Sequence, residues 1–462
     1  MEKEIKRIDE RNYRKNSKSK RTSQARGITL VALVITIIII IILATVTINM
    51  AFGDDGIIKR AEQAKDMYAN DTAYTDQAMA NATAYLDEML NGVTGGGTDK
   101  PEIPTMPISE AKQQNDGMTE KTIVIDEKNN EIMVPKGFKI ASDSGDTVQQ
   151  GIVIEDVSAS TEESNVRGSQ YVWIPVGTFT KDGGTLSNEI KLGRYTFSTT
   201  DGTTIAPLQY AEDYAGEPVA IKDAGNEDCT EATEYDAGNE SSGLDGRNAT
   251  AKNLAEFINS TKPIKEGGNG GYYIGRYEAS YASGATSTSE VGDYANCKAA
   301  SKVSTAFSDS SMSYNPRTLW NFITQPAASK VAINTYEESG SVKSDLMNSY
   351  AWDTAIVYIQ EASTPNYANA TRKHNSLSNT GKLDPDVPTL KDEVCKINDM
   401  ASNIMEWTTE HSSHTGGSGA YPCVNRGGGY YYSLFYTANR FYNNATVSDD
   451  LVGFRLMLYV DV

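Results

Sequence analysis

The stretch that decides the reading runs from Glu406-Trp407-Thr408 through Asn425-Arg426-Gly427-Gly428-Gly429 to Gly453-Phe454-Arg455. Between its last two blocks lie Tyr430-Tyr431-Tyr432-Ser433-Leu434-Phe435-Tyr436, then Phe441-Tyr442-Asn443-Asn444, then Val447-Ser448-Asp449-Asp450. Five tyrosines and two phenylalanines fall within thirteen residues, interleaved with Ser, Asn and Thr. Tyrosine offers a large contact area at the cost of two torsions, and Ser and Asn offer adaptable hydrogen bonding, so this is the composition of a binding loop. An aromatic-rich edge or core strand is the alternative, although 430–432 does not alternate with polar residues. The candidate ligand-binding residues are therefore Tyr430, Tyr431, Tyr432, Leu434, Phe435, Tyr436, Phe441, Tyr442, Asn443, Asn444, Val447, Ser448, Asp449 and Asp450.

Three blocks carry a resemblance. Ser402-Asn403-Ile404-Met405-Glu406-Trp407-Thr408, Arg426-Gly427-Gly428-Gly429 and Gly453-Phe454-Arg455 occur in the order found in the formylglycine-generating-enzyme (sulfatase-modifying-factor) family. That resemblance implies a C-type-lectin-like α+β domain in which Trp407, Arg426, Gly428 and Arg455 are scaffold. Where the family has its paired catalytic cysteines this sequence aligns Tyr432 and Thr437, which cannot supply thiolate chemistry. The expectation is therefore the fold without the oxidase activity. The family's calcium-wrapping segment matches Asp399 and Glu406 side chains with the Ser402 and Ile404 carbonyls, and hard oxygen ligands suit structural Ca²⁺. A Glu406 hydrogen-bonded to nearby backbone accounts for the same residues equally well.

The sequence resembles still more the variable proteins of diversity-generating retroelements, whose C-terminal codons are rewritten at adenines. Asparagine codons altered at adenine yield Tyr, Phe, Ser, Leu, Val and Asp, the types that crowd 430–452. Ala438-Asn439-Arg440 and Ala445-Thr446 then read as fixed spacers. The function implied is ligand binding through a replaceable surface, with an unknown protein or cell-surface ligand as partner. A minor pilin or adhesin with a fixed site is the alternative, and an oxidase the more distant one.

Charge and hydropathy organise the rest of the 462 residues. Residues 1–27 hold ten Lys or Arg against four Asp or Glu, so a formal charge of -19 overall leaves -25 on the remainder. Such an acidic body repels phosphates and argues against nucleic acid. Residues 28–51 are uncharged and mainly apolar; about 24 residues at 1.5 Å span roughly 36 Å, enough for a bilayer core. The basic head and Gly27-Ile28 before this run resemble the prepilin-type signal of type IV pilin-like proteins. This implies cleavage between Gly27 and Ile28 by a prepilin peptidase. Ala32 stands where that family has an assembly-linked Glu, which puts pilin-like assembly partners in question. Lys and Arg before the helix place the body outside the cell, so a single-pass protein on a bacterial surface is expected.

Residues 52–91 have helical spacing and predict an amphipathic stalk. Gly- and Pro-containing residues 92–117 predict a linker, 118–164 a small β-rich segment, and 165–462 the lectin-like domain. Helical core segments are expected at 320–323 and 350–359, a short helix at 254–258, and a Ser, Thr and Asn-rich surface insertion at 282–315. Cys229, Cys297, Cys395 and Cys423 allow three pairings, with Cys395 to Cys423 preferred because both flank the Glu-Trp block. His411 and His414 read as solvated surface rather than a zinc site, and the tryptophans as core.

Overall fold

The computed structural model describes residues 103–158, 161, 165–198, 200–210, 221–222, 228–231, 254–283, 297–302, 306–307, 318–371, 392–412, 415–416, 419–420, 422–429, 436–444 and 446–462. All belong to one compact unit, Pro101–Val462. The leader with Gly27 and Ile28, the span 28–51, the stalk 52–91 and Tyr430, Tyr431, Tyr432, Leu434 and Phe435 lie outside the described residues. Among those described, no helix is long and apolar enough to cross a membrane.

The domain is mixed α and β, mostly strands with few helices. A three-stranded sheet opens it: β1 (Thr105–Pro107) runs parallel to β2 (Thr122–Ile125), which pairs antiparallel with β3 (Glu131–Val134). The one-turn helix α1 (Ile108–Ala111) follows β1 and buries Ile108 and Ala111. Residues 105–111, expected in the linker, are thus part of the fold, because their apolar side chains reach the core and β1 satisfies its backbone on β2.

The next strands are β4 (Phe138–Ile140), β5 (Val153–Asp156) and β6 (Gln170–Pro175), then β7 (Ile221–Lys222), β8 (Asp228–Glu231), β9 (Gly271–Gly275) and β10 (Val342–Leu346). The C-terminal stretch adds β11 (Met405–Ser412), β12 (Cys423–Arg426), β13 (Arg440–Asn443), β14 (Val452–Phe454) and β15 (Leu456–Val460). They form two six-stranded sheets, one in the order β10-β15-β9-β6-β5-β4 and one in the order β7-β8-β11-β12-β13 with β14 parallel to β11. Since β4 and β5 share a sheet with β6, the segment 118–164 is continuous with the main core. Val153 and Ile154 on β5 and Val172 and Ile174 on β6 are buried on both faces of this sheet, the near-continuous apolar pattern of a covered sheet.

Helix α2 (Leu254–Ser260) matches the expected short helix. Helix α3 (Gln325–Thr335) follows a Thr324 cap whose hydroxyl accepts from the Ala327 N–H, with Pro326 in its first turn. Those two residues are a helix-start signature, but the Ala- and Ser-rich body has little apolar contrast to mark it from sequence. Helix α4 (Ser349–Ala362) begins at Asn348, whose side chain accepts from Ala351 N–H. The Tyr272 hydroxyl donates to the Ala351 carbonyl at 2.7 Å and ties α4 to the main sheet.

Three expectations are corrected here. Residues 320–323 are not helical: a two-residue strand, Thr318–Leu319, leads into an irregular loop in which Phe322 has φ 52°. The stretch 282–315 is not wholly a surface insertion, because the strand Lys298–Ala300 pairs with Ser280–Ser283 and buries Ala299 and Ala300. Cys395 and Cys423 are not joined to each other: the Cys395 thiol lies against the Tyr358 hydroxyl, while the Cys423 thiol donates to Gln325 Oε1 at 3.3 Å. All four tryptophans are buried, as expected of core residues.

Candidate functional site

The three motif blocks meet on one sheet. Glu406 stands opposite both Arg426 on β12 and Gly453 on β14, and Trp407 stands between Asn425 and Phe454. Their glycines are placed by contact. A Cβ on Gly428 would lie 2.1 Å from the Ala401 carbonyl oxygen, and one on Gly453 would lie 2.4 Å from Ile404 Cδ1 and 2.9 Å from the Trp320 oxygen. Main chain thus passes too close for any side chain at these two positions. Gly427 has φ 89°, a conformation open to glycine.

Arg455 engages Glu406 through Nε at 3.0 Å and a second nitrogen at 2.6 Å, and also donates to the Gly275 and Asn398 carbonyls at 2.8 Å each. This explains the Glu-Trp and Gly-Phe-Arg blocks: a fork-on-carboxylate pair whose guanidinium also donates to two main-chain carbonyls can survive burial.

A second charged cluster gathers around Arg426 and Arg440, and sequence reasoning did not find it. Glu410 on β11 accepts from Arg194 at 2.8 Å, Arg426 at 2.9 Å and Arg440 at 2.7 Å. Asp353 on α4 accepts from Arg426 and Arg440 at 2.6 Å each and from the Tyr195 N–H at 3.0 Å. All five side chains are buried. Burial alone would raise the Glu410 carboxyl, but the three guanidinium groups override it and hold the group well below the usual carboxylate range. The available signal was Asp353 within an apolar helix and Glu410 within a strand, charges that burial tolerates only when paired.

Arg426 and Arg440 bracket residues 427–439, and both ends of that segment are bonded to the scaffold. Arg426 Nε donates to the Asn439 carbonyl at 2.9 Å and Trp352 Nε1 to the Thr437 carbonyl at 2.9 Å. The Thr437 and Ala438 N–H groups donate to Ala370 and Ala368. Thr437, aligned with a catalytic cysteine of the resembled enzymes, is a buried hydroxyl in this frame.

The described candidate binding residues divide by environment. Ser448 is exposed, and Tyr436, Tyr442, Asn443, Asn444, Asp449 and Asp450 are half-buried. Phe441 and Val447 are also half-buried but pack against the core, so they serve partly as structure. Residues 449–451 hang from the scaffold by main chain: Asp449 O accepts from Phe322 N–H at 2.8 Å and Leu451 O from Met405 N–H at 2.9 Å.

The residues matched to a calcium segment are all buried. Glu406 is committed to Arg455. Asp399 Oδ1 accepts from the Ser402 hydroxyl at 2.9 Å, whereas Asp399 Oδ2 has no hydrogen-bond partner. Burial, reinforced by the Asp392 charge, pushes the Asp399 carboxyl up to about 8. Glu278 is pushed up as well, by burial first and then by Asp399 and Glu406. It accepts from Asn403 Nδ2 and from the Ile404 N–H. Among the described residues no three His, Cys, Asp or Glu side chains converge as a metal-binding group.

Two cavities lie elsewhere. One of about 310 Å³ is lined by residues including Ile190, Leu192, Tyr210 and Ile258, and one of about 420 Å³ by residues including Asn129, Phe179 and Ile264.

No family model matches the chain, and no curated protein does. Solved structures similar to parts of it include CarF, at 13% identity over 41% of this chain and 87% of that one, with a TM-score of 0.27. PvdO from Pseudomonas aeruginosa is 11% identical over 53% of this chain and 100% of that one, with a TM-score of 0.25. The P3c variant of the Major Tropism Determinant is 12% identical over 78% of this chain and 100% of that one, with a TM-score of 0.24.

Proposed function

We propose that this chain is a ligand-binding protein displayed on the bacterial surface, held by the N-terminal segment 28–51. Its C-type-lectin-like domain is non-catalytic and carries a C-terminal contact surface, 430–452, diversified by adenine-directed mutagenesis. The observation that carries this reading is the division of labour within 426–455. Arg426, Gly428, Thr437, Arg440, Gly453 and Arg455 are buried, the arginines and Thr437 bonded to the scaffold through their side chains and Gly428 through its N–H. Tyr436, Tyr442, Asn443 and Asn444, which are partly exposed, and Ser448, which is exposed, are all types reachable from asparagine codons and remain open in part to a partner. A frame that holds both ends of a segment through buried arginines tolerates exchange of what lies between.

The test is the gene itself. A near-copy of its last hundred or so bases, differing only at adenines and lying beside a reverse transcriptase, is the expected finding. A unique 3′ end would remove the diversification from this reading. At the protein level, exchanging the segment between Gly429 and Gly453 for that of a binder is expected to transfer its specificity; retention of the original binding would overturn the assignment of the surface.

Structural calcium is part of the proposal. Asp399, with its unpartnered Oδ2, fits a cation, as do the Ser402 and Ile404 carbonyls by type; Glu406, already paired with Arg455, contributes charge rather than an open ligand position. Ca²⁺ would neutralise the acidic group around Asp399 and stabilise the folded state. The unfolding midpoint is expected to rise by a few degrees on replacing EGTA with saturating Ca²⁺, and Asp399→Asn to abolish that rise. A midpoint indifferent to Ca²⁺ would remove the metal from the proposal.

A further inference from the structure

Phe322 is the one bulky aromatic among the described residues whose backbone is left-handed, at φ 52°. For a residue with a Cβ and a ring this region is strained and is held only where the surroundings impose it. The surroundings here are specific. Asn321 and Ile323 are both buried. The Asn321 amide donates to the Asp450 carbonyl at 3.2 Å, the Phe322 N–H to the Asp449 carbonyl at 2.8 Å, and the Ile323 carbonyl accepts from Trp407 Nε1 at 2.9 Å. The backbone of Phe322 is therefore bolted to 449–450 and to the Glu-Trp block.

Its side chain is not used in the same way. Phe322 is half-buried, yet it is not among the partly buried apolar residues that pack on the core, which in this neighbourhood are Phe441, Val447 and Leu451. Nor does it share the edge contacts that Trp320 makes with Tyr281 and Phe454. A strained position occupied by a large ring outside the described core cluster is a cost to folding, and such costs concentrate at functional sites.

We infer that Phe322 is a fixed aromatic anchor of the ligand-binding surface, supplied from outside the C-terminal segment and held beside residues 449–450 for contact with a protein partner. This rests on the reading of 430–452 as that surface. Phe322, Tyr436 and Tyr442 present partly accessible rings, Asp449 and Asp450 add carboxyl groups, and the nearby cations Arg426 and Arg440 are buried and paired within the domain. The partner that fits is a protein face with apolar and cationic groups. Buried aromatic anchors dominate the energetics of such contacts, with the surrounding positions supplying complementarity. A constant ring at the margin would leave a changing segment with part of its affinity already in place.

The test uses the full chain in detergent, randomised at 430–436 and 441–450 and selected on immobilised lysozyme as a basic protein probe. Phe322→Ala, Phe322→Gly and Phe322→Tyr are then introduced into several selected clones. Most clones are expected to lose about thirtyfold or more in affinity with Ala or Gly and to stay within a few-fold with Tyr. The Phe322→Gly clones should unfold at the same temperature as their parents or higher, since glycine adopts this φ without strain. Unchanged affinity in clones whose binding moves with the segment would overturn the anchor while leaving the surface itself intact. Affinity lost together with a lowered unfolding temperature would make Phe322 a structural cap and overturn the proposal. A library that yields no binders would overturn the surface reading, and the anchor with it.

Discussion

Glu410→Gln is expected to destabilise the domain by at least about 3–5 kcal/mol, enough to consume much of the stability of an ordinary domain. Glu410 is shared by Arg194, Arg426 and Arg440, and its neutralisation takes the common carboxylate from three buried guanidinium groups, of which Arg426 and Arg440 keep their pairs with Asp353. The amide keeps the shape and loses the charge, so the loss reports electrostatics rather than a cavity. Chemical denaturation followed by circular dichroism measures it, and a loss under about 1 kcal/mol would show that water or rearrangement compensates the cluster. Glu189→Gln is the control, because its ion pair with Lys191 is long and solvated and should change stability by under about 0.5 kcal/mol.

The same group sets a pH dependence. The folded-state pKa of Glu410 lies below its ordinary value of 4.5. Its contribution is therefore complete above the unfolded-state value and is lost as pH falls through the folded-state value, which is strongly acidic. Stability should decline on acidification below about pH 4.5 with a component absent from Glu410→Gln. Because the cluster also grips residues 437–440, binding should fail in the variant before the fold does.

Gly428→Ala is expected to cost about 3 kcal/mol or more. The added methyl would sit 2.1 Å from the Ala401 oxygen, 2.2 Å from its carbonyl carbon and 2.8 Å from the Ser402 nitrogen. No side chain can rotate away, so two main-chain segments must separate, and one of them carries Asp399 and Ser402. Gly340→Ala meets nothing within 4 Å and is the neutral control. A thermal unfolding midpoint for Gly428→Ala within a degree of wild type would mean the two segments are not in this contact.

How much of this was legible from residues alone differs by kind. The strands at 122–125, 131–134, 170–175 and 271–275 and the helix α4 follow from local apolar patterning, and so were readable. The loop at 320–323 is not the expected helix because the helix-like apolar spacing of Trp320, Phe322 and Ile323 is overridden by hydrogen bonds that the loop donates to the 449–450 carbonyls and accepts from Trp407. The preferred cysteine pairing failed for the same reason: nearness of Cys395 and Cys423 to one motif says nothing of the direction their thiols face.

The sequence by itself determined the motif blocks, the aromatic-rich segment and the apolar N-terminal run, because each is written in neighbouring residues with a composition or period of its own. Only the tertiary structure decided which polar residues carry the frame. Arg194 and Glu410 are 216 positions apart, Asp353 and Arg426 are 73 apart, and Phe322 meets Asp449 through its backbone. Those pairings have no period and no local signature. They exist because one six-stranded sheet, the strand Gly193–Phe197 and a helix bring these charges together in the buried interior, where each must find its partner or the fold does not form.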